Sequence, residues 1–143
     1  MSDMNFENDR LHLKSALSSA DCADLAATQG YLSLDHQIVL RVLSLIPWAF
    51  DGAPPSYARV ESHPQQHDWH GDNAKHMPWC EISASVLLTP QGSGVFKFKD
   101  GPVALEPGDL LTWRATPENI HARSQHDGTR KALLIFLKTK QAA

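Results

Sequence analysis

From Tyr57 onward the sequence repeats one pattern, in which a short run of apolar and β-branched residues is followed by a turn signal. The runs are "YARVES", "CEISASVLL", "GVFKFK", "PVALE", "DLLTWRA", "IHARS" and "KALLIFLK". The turn signals include "KDGP" at 99–102 and "EPGD" at 106–109, which carry the glycine and proline of tight turns. Short strands at this spacing predict a mainly β fold, either a sandwich or a jelly-roll barrel. The pattern alone does not choose between the two.

The first third of the chain has helical periodicity. Ser18 or Ser19 is a suitable N-cap for a helix through "ADCADLAAT", with Gly30 as its C-terminal stop. Ser33 is a suitable N-cap for a second helix. Apolar residues then recur at helical spacing: Leu34, Ile38, Val42, Leu45 and Ile46. Before both helices, the alternation in "RLHLKSAL" indicates a short strand.

Glycine and proline in "DGAPPS" at 51–56 separate the helical part from the β part. A chain of 143 residues has the length of one domain that buries a core of its own. We therefore expect a single domain over 1–143, in which 1–52 are mostly helical support and 57–140 form the barrel core.

Charge and hydropathy exclude several classes of partner. A net charge of −3 offers no electrostatic footprint for nucleic acid or anionic lipid. The most apolar run, "IVLRVLSLIPWAF", is interrupted by polar residues and is shorter than the roughly 20 residues that span a bilayer. The acidic start "MSDMNFENDR" lacks the pattern of a signal peptide, so we expect a cytoplasmic protein. Cys22 and Cys80 fit no disulfide framework or metal-site spacing, and both are expected to be thiols.

The stretch "HDWHGDN" at 67–73 suggests a metal site. Two histidines and one carboxylate on one face of a metal make the triad of non-haem iron oxygenases. His70 and Asp72 are two residues apart at a strand end, so both can point to the same side. The third ligand must come from a distant strand, and His121 and His126 are the candidates. We predict His121, because His126 lies in the turn-like "SQHDGTR" and is expected at the surface.

The order of motifs from Tyr57 onward resembles the 2-oxoglutarate and Fe(II)-dependent oxygenase superfamily, in its prolyl-4-hydroxylase-like branch. In that family a strand leads to H-x-D-N, and an apolar strand, a glycine-rich hairpin, a P-G-x-L turn, a distal histidine and G-x-R follow. Here the matching segments are "ARV" at 58–60, "HGDN" at 70–73, "ISASVLLTP" at 82–90, "GSGVFKF" at 92–98, "PGDLLTW" at 107–113, His121 and "GTR" at 128–130. H-x-D alone is a weak motif. H-x-D, P-G-D, the distal histidine and G-x-R together, in this order, are specific.

The resemblance implies the chemistry of the family. His70, Asp72 and His121 would bind Fe(II), and 2-oxoglutarate would bind beside them as cosubstrate. With O2, the cosubstrate would be decarboxylated to succinate while a substrate C–H bond is hydroxylated. Arg130 would meet the far carboxylate, because an unpaired charge in an apolar barrel is costly and a guanidinium forms two parallel hydrogen bonds with it. Arg123, on the same strand face as His121, is a rival for this role.

The sequence departs from the prolyl hydroxylases at the far end of the cosubstrate. Leu88 and Val60 stand where the family offers tyrosines, and neither can donate a hydrogen bond. Thr89, Tyr57 or a water molecule would then take over. Trp113 stands where phenylalanine is usual and would make a bulkier wall.

The sequence constrains the identity of the substrate less than that of the metal or the cosubstrate. Trp69, His67 and Trp113 are candidates for lining the substrate. By analogy the substrate is a peptidyl proline, an amino-acid-like molecule or another small metabolite. No long insertion supplies a lid, so a protein substrate or a second subunit in a homodimer could cover the mouth. His63 and His76 are expected to be solvated.

Two alternatives from other classes stay open. "PGDLLTWRATPENIH" resembles the second motif of a cupin, another jelly roll with a histidine-rich metal site. A cupin normally supplies H-x-H and a glutamate in its first motif, which His70-x-Asp72 does not. The other alternative is a catalytically inert jelly-roll binding module. His12 and His36 are expected at the surface and carry no function in either reading.

Overall fold

The computed structural model describes residues 4–74 and 76–140, and this part of the chain is mainly β. The strands are β1 (Met4–Glu7), β2 (Arg10–Leu13), β3 (Gly30–Leu32), β4 (Phe50–Asp51), β5 (Tyr57–Glu61), β6 (His67–His70), β7 (Ile82–Leu87), β8 (Phe96–Phe98), β9 (Gly101–Pro102), β10 (Leu110–Arg114), β11 (His121–Arg123) and β12 (Ala132–Thr139). The helices are α1 (Ser19–Ala26), α2 (Gln37–Leu43) and a 3-10 turn at Pro117–Asn119. Strand makes up 34% and helix 14%, so the expectation of a mainly β fold is confirmed.

The strands form two antiparallel sheets whose order defines a jelly roll. The major sheet runs β1-β2-β10-β7-β12-β5-β3, and β4 adds to the end of β12. The minor sheet runs β6-β11-β8-β9. From β5 to β12 the chain alternates between the two sheets, except that β9 pairs with β8 in the minor sheet. This alternation is the double-stranded β-helix topology. This order settles the choice between sandwich and jelly roll that the sequence pattern left open.

The major sheet is buried on both faces, and strand alternation divides its side chains between two cores. Val86 and Leu87 are adjacent in β7 and fully buried, yet they belong to different apolar clusters. Val86 packs with the residues under α1 and α2, whereas Leu87 packs between the sheets with Phe96 and Phe98. Because side chains alternate along a strand, one face of β7 supports the helices and the other faces the barrel interior.

The ends of α1 and α2 differ in part from the predicted ends. Ser18 is the N-cap of α1, and its hydroxyl accepts a hydrogen bond from the Asp21 N–H at 3.1 Å. Gly30 does not end this helix, which finishes at Ala26; it begins β3 instead, with φ of +79°. The N-cap of α2 is His36 rather than Ser33.

Ser33 has another local role, which explains why it resembled a cap. Its hydroxyl accepts a hydrogen bond from the Asp35 N–H at 3.0 Å, and its carbonyl accepts one from the His36 N–H at 3.0 Å. This serine turn precedes the helix by one turn, because serine side chains bind nearby main-chain donors at turns as readily as at caps.

The prediction that 1–52 are mostly helical is wrong, since the described part of this segment contains β1, β2, β3 and β4 besides the two helices. The short strand predicted in "RLHLKSAL" is confirmed as β2, which pairs with β10 and extends the major sheet. A strand at this place covers an edge of the barrel that would otherwise leave main-chain groups unpaired.

Among the described residues, no helix is long and apolar enough to cross a membrane.

The "PGD" turn fastens the N-terminal segment to the barrel. Asp109 is buried, and its carboxylate accepts hydrogen bonds from the Ser15 and Glu106 N–H groups, both at 3.1 Å. Gly108 has φ of +93°, donates to the Leu87 carbonyl at 2.7 Å and accepts from the Leu17 N–H at 3.1 Å. The turn therefore requires glycine both for its conformation and for the close approach of another chain segment.

We predict that Gly108→Ala lowers the free energy of unfolding by more than about 2 kcal/mol. An added Cβ would lie 2.6 Å from the Leu17 carbonyl oxygen, in addition to the strain of a positive φ. Gly92→Ala is the matched control, because Gly92 has φ of +58° but nothing within 4 Å of an added Cβ. Urea denaturation of both variants measures the difference. Equal losses would show that the contact with Leu17 is unimportant.

Candidate metal centre and its cavity

His70, Asp72 and His121 converge at one end of the barrel. His70 is the last residue of β6, His121 is the first of β11, and the two are directly paired across the minor sheet. Asp72 follows in the turn after β6. Its Oδ1 lies 3.6 Å from His70 Nε2 and 3.3 Å from His121 Nε2, and the three ligand atoms lie within 4.8 Å of one another. The structure thus brings the predicted triad together in a group that could hold one metal ion.

Both imidazoles are oriented so that Nε2 faces Asp72 Oδ1. His70 Nδ1 lies 2.7 Å from the Asp68 carbonyl, and His121 Nδ1 lies 2.9 Å from the Asn119 carbonyl. A carbonyl accepts a hydrogen bond, so Nδ1 of each ring carries the proton and Nε2 keeps a lone pair. Hydrogen bonds of this kind fix the tautomer and the ring orientation of metal-binding histidines.

The third ligand is oriented from within the barrel. The Ser83 hydroxyl donates a hydrogen bond to Asp72 Oδ2 at 2.6 Å, which leaves Oδ1 facing the two histidines. Burial of the Asp72 carboxyl favours its neutral form, but the neighbouring imidazoles of His121 and His70 and the Ser83 hydroxyl outweigh this and hold its pKa well below the usual range. The nearby Asp72 carboxylate in turn raises the pKa of His70. Asp72 is therefore a carboxylate at neutral pH.

Aromatic side chains enclose His121 on the side of the barrel interior. The rings of Phe96 and Trp113 lie 5.0 and 4.9 Å from its imidazole, centre to centre, and Phe98 lies at 6.1 Å. His121 is only 5% exposed, whereas His70 faces the opening. The three rings keep water away from one side of the triad.

A cavity of about 200 Å³ opens beside the triad. Apart from the triad, its lining includes three arginines and one glutamate: Arg59, Arg123, Arg130 and Glu61. Its apolar lining includes Ala74, Met77, Ala84, Phe96, Trp113, Leu134 and Phe136. The cavity therefore joins the metal ligands to a group of buried charges.

Arg123 is fully engaged inside the protein. Its Nη2 lies 3.5 Å from Glu61 Oε2 and donates to the His63 and Gln65 carbonyls at 2.8 and 3.1 Å. These contacts tie β11 to β5 and to the loop before β6. Arg123, the rival for the cosubstrate, thus has structural partners of its own.

Arg130 is buried without a partner. It is 3% exposed, and its guanidinium makes no hydrogen bond to any described residue. Burial, together with the nearby positive charge of Arg123, lowers its pKa to about 10, so it remains protonated at neutral pH. Because Glu61 already compensates Arg123, the cluster of Glu61, Arg123 and Arg130 carries one uncompensated positive charge. An anionic ligand would remove the cost of burying it.

The side chains proposed to replace the missing tyrosines point elsewhere. Thr89 Oγ1 accepts a hydrogen bond from the Lys131 N–H at 2.8 Å and does not line the cavity. The Tyr57 hydroxyl lies 3.2 Å from Met77 Sδ, and its ring packs on Phe136. Tyr57 also lies outside the cavity lining.

Leu88 and Val60, which the resemblance assigns to the cosubstrate end, do not line the cavity. Both side chains belong to the larger apolar core under the helices. Because alternate side chains point to opposite faces of a strand, Glu61 and Ser85 face the cavity instead. A one-residue shift is invisible in the sequence where a strand is buried on both faces.

The three candidates for substrate contact fall in different places. His67 and Trp113 line the cavity, and His67 Nε2 lies 3.3 Å from Arg123 Nη2. Trp69 is 41% exposed, lies outside the cavity lining and packs against Lys99, whose Nζ is 3.9 Å from the ring centre. Trp69 points outward because it directly precedes His70 on β6 and the two side chains alternate.

The expectation that His126 lies at the surface is wrong. His126 is 5% exposed, its Nδ1 accepts a hydrogen bond from the Gly128 N–H at 2.9 Å, and its own N–H donates to the Pro64 carbonyl. The loop that carries it folds back over the 62–65 loop. His63 and His76 are exposed as expected, and His12 and His36 are half-buried.

Sequence reasoning missed Ser83, Glu61 and Arg59. Ser83 orients a ligand, and Glu61 and Arg59 line the cavity. The available signal was polar character at every second position of "YARVES" and "ISASVLL", which places these side chains on one strand face.

No model of a protein family matches the chain, and no curated protein matches its sequence. Comparison with solved structures identifies proteins of similar fold. The 2OG complex of the viral collagen prolyl hydroxylase vCPH from Paramecium bursaria Chlorella virus-1 superposes with a TM-score of 0.66 at 11% identity. The match covers 93% of this chain and 97% of that chain.

Two further solved structures share the fold. A prolyl hydroxylase from Trichoplax adhaerens, in complex with a peptide fragment of the hypoxia inducible factor oxygen degradation domain, has a TM-score of 0.65 at 11% identity and covers 92% of this chain and 84% of that one. HygX from Streptomyces hygroscopicus, with nickel and 2-oxoglutarate bound, has a TM-score of 0.64 at 12% identity and covers 93% and 83%. These likenesses confirm the jelly-roll fold, which the chain shares over nearly its whole length.

We predict that Ser83→Ala weakens metal binding by about 10–100-fold, because the hydrogen bond that orients Asp72 is lost. Calorimetric titration with zinc(II) measures the affinity. Ser85→Ala is the matched control, since Ser85 is also buried on the same face of β7 but makes no contact with the triad. Equal zinc affinity in the Ser83→Ala variant and the wild type would show that Asp72 needs no support from Ser83.

Proposed function

We propose that the protein is an Fe(II)- and 2-oxoglutarate-dependent oxygenase that hydroxylates a substrate C–H bond. The observation that carries this proposal is the joint occurrence, in one cavity, of the His70, Asp72 and His121 triad and the unpartnered Arg130. The triad fits the metal and the arginine fits the cosubstrate. Neither feature alone would distinguish this function from that of other metal-binding jelly rolls.

The donor set fits Fe(II). Two imidazole nitrogens and one carboxylate oxygen are the ligands of non-haem iron oxygenases, and three protein ligands leave further positions for other molecules. The hydrogen bonds at Nδ1 of His70 and His121 and at Oδ2 of Asp72 hold the three donors before any metal arrives. A cupin would supply a second histidine in place of Asp72.

The charges fit a dicarboxylate cosubstrate. The 2-oxo acid end of 2-oxoglutarate would bind at the metal, and its far carboxylate would compensate Arg130 inside the barrel. Glu61 does not repel this carboxylate strongly, because Arg123 lies 3.5 Å from Glu61 and neutralises the charge of Glu61. Two solved structures that share the fold contain 2-oxoglutarate, which supports the same ligand here.

When bound, iron with O2 and 2-oxoglutarate supplies the oxidation, which releases succinate and CO2 and leaves one oxygen atom for the substrate. The protein orients the ligands and limits the access of water. Phe96, Phe98 and Trp113 close one side of the triad, and the open side at His70 is left for the substrate. Exclusion of water protects a reactive site from side reactions.

The substrate is a peptide or protein segment, or a small amino-acid-like metabolite. Two of the similar structures are prolyl hydroxylases, one of them in complex with a peptide, which supports prolyl hydroxylation as the reaction. His67 and Trp113 would line the substrate path.

The experiment that tests the function is anaerobic titration of the protein with iron(II) and 2-oxoglutarate. We expect a weak visible charge-transfer band that needs both components and is absent from His70→Ala, Asp72→Ala and His121→Ala. Arg130→Gln should retain metal binding and weaken 2-oxoglutarate binding at least about tenfold, because a charged bidentate contact is lost.

Two kinds of result would contradict the proposal, and they can be told apart. A cupin or an inert metal-binding module would take up iron without the band, and no decarboxylation of 2-oxoglutarate would follow when O2 is admitted. Loss of 2-oxoglutarate binding in an Arg123→Gln variant that still folds, with Arg130→Gln unaffected, would reverse the assignment of the arginines.

We also predict that Gly94→Ala weakens 2-oxoglutarate binding about tenfold without affecting the metal. An added Cβ would lie 2.5 Å from Arg130 Cδ and 3.1 Å from His126 Cδ2, so the Arg130 side chain must move. Gly92→Ala, in the same hairpin, meets nothing within 4 Å and is the control. Calorimetry measures the affinity for zinc(II) with the metal-free protein and the affinity for 2-oxoglutarate with the zinc-loaded protein. An unchanged affinity for 2-oxoglutarate in Gly94→Ala would contradict the role of Arg130.

A further inference from the structure

Arg59 lies where two cavities meet. It lines the metal cavity and also an adjoining cavity of about 370 Å³, and Glu61 is the other charged residue that the two share. Arg59 is half-buried on β5, on the strand face that also carries Glu61. A charged side chain at this junction faces any ligand that reaches from the metal toward the neighbouring space.

The charges around the metal leave Arg59 uncompensated. Among the described residues, no carboxylate lies within 4.0 Å of its guanidinium, whereas Glu61 faces Arg123 at 3.5 Å. Asp72 is directed to the metal site. If Arg130 takes the far carboxylate of the cosubstrate, Arg59 is the cation of the cavity that still lacks an anion.

The position of Arg59 suits a group on the substrate. It lies opposite Leu134 of β12, which in turn lies opposite Ser85 of β7. Ser83, which supports the metal ligand Asp72, is two residues further along β7. Two strand spacings and two residues separate the backbones of Arg59 and Ser83 by about 12 Å. The long side chain of Arg59 lines the cavity and shortens this separation to the size of a small molecule or a single side chain.

The surroundings of Arg59 fit an anion that is attached to an apolar body. Leu134 and Phe136 line the cavity beside it. Burial raises the pKa of Tyr57, and the positive charge of Arg59 partly offsets this rise. A guanidinium holds a carboxylate or phosphate with two parallel hydrogen bonds, and this contact is strong when partly buried.

We infer that the substrate carries an anionic group, a carboxylate or a phosphate, and that Arg59 binds this group while Arg130 holds the cosubstrate. This inference rests on the proposed function, because it assigns Arg130 to 2-oxoglutarate. It makes Arg59 a residue that determines substrate specificity, and it makes the cavity a site for two anions at once.

The test uses the 143-residue chain loaded with zinc(II) and saturated with 2-oxoglutarate, so that binding is measured without turnover. Two pairs of probes separate the sources of the anion: N-acetylalanine against N-acetylalaninamide, and glycerol 3-phosphate against glycerol. We expect the anionic member of one pair to bind and its neutral partner not to bind. Arg59→Gln should weaken that anion at least about tenfold, and Arg59→Lys should restore part of the affinity.

Arg41→Gln is the matched control, because Arg41 is an exposed arginine on α2 whose described ion pair is with Asp21, away from the cavity. It should bind every probe like the wild type. The inference is overturned if the anion binds equally to wild type and Arg59→Gln, or if neither anion binds better than its neutral partner. It is also overturned if Arg59→Gln loses 2-oxoglutarate while Arg130→Gln keeps it.

Failure of this inference is distinguishable from failure of the proposed function. The affinity for 2-oxoglutarate is measured first in wild type, Arg59→Gln and Arg130→Gln. Absence of 2-oxoglutarate binding in wild type contradicts the proposed function. Binding that depends on Arg130 and not on Arg59, combined with no selectivity for anionic probes, supports the function and contradicts the anionic substrate.

Discussion

The candidate metal centre depends on the antiparallel pairing of β6 with β11. This pairing places His70 directly opposite His121, although 50 residues separate them in the chain, and the turn after His70 returns Asp72 to the same point. The backbones and Cβ atoms of opposed residues in an antiparallel pair lie about 4.5–5.5 Å apart, so the two imidazoles can reach one ion. A change of register by one residue would send one imidazole to the outer face, where Trp69 points.

The cavity beside this pair is organised by buried charge. Placing arginines inside a barrel is costly, and the structure offsets the cost for only one of them, through the contact of Arg123 with Glu61 and with main-chain carbonyls. Arg130 is left without such partners among the described residues. The fold thus separates an arginine that has protein partners from one that has none among the described residues, although the two residues look alike in the sequence.

Much of the fold and the metal triad could be predicted because these features are local or ordered along the chain. Turn residues mark the strand ends, and spacing joins His70 to Asp72. Predictions failed where two local structures use the same residue types. Ser33 forms a turn instead of a helix cap, and Gly30 begins a strand instead of ending a helix. His126 resembles a loop-tip residue, and only the packing of its loop against 62–65 buries it.

The sequence by itself determined the strand pattern, the pair His70 and Asp72, and the order of motifs that leads to His121, because short-range chemistry and chain order carry this information. Tertiary structure alone decided which arginine is free, since that depends on the position of Glu61 across the barrel. It also decided which side chains of β5 and β7 face the cavity. On a strand that is buried on both faces, hydrophobicity does not distinguish the two sides, and only the packing of the helices on one side and the minor sheet on the other assigns them.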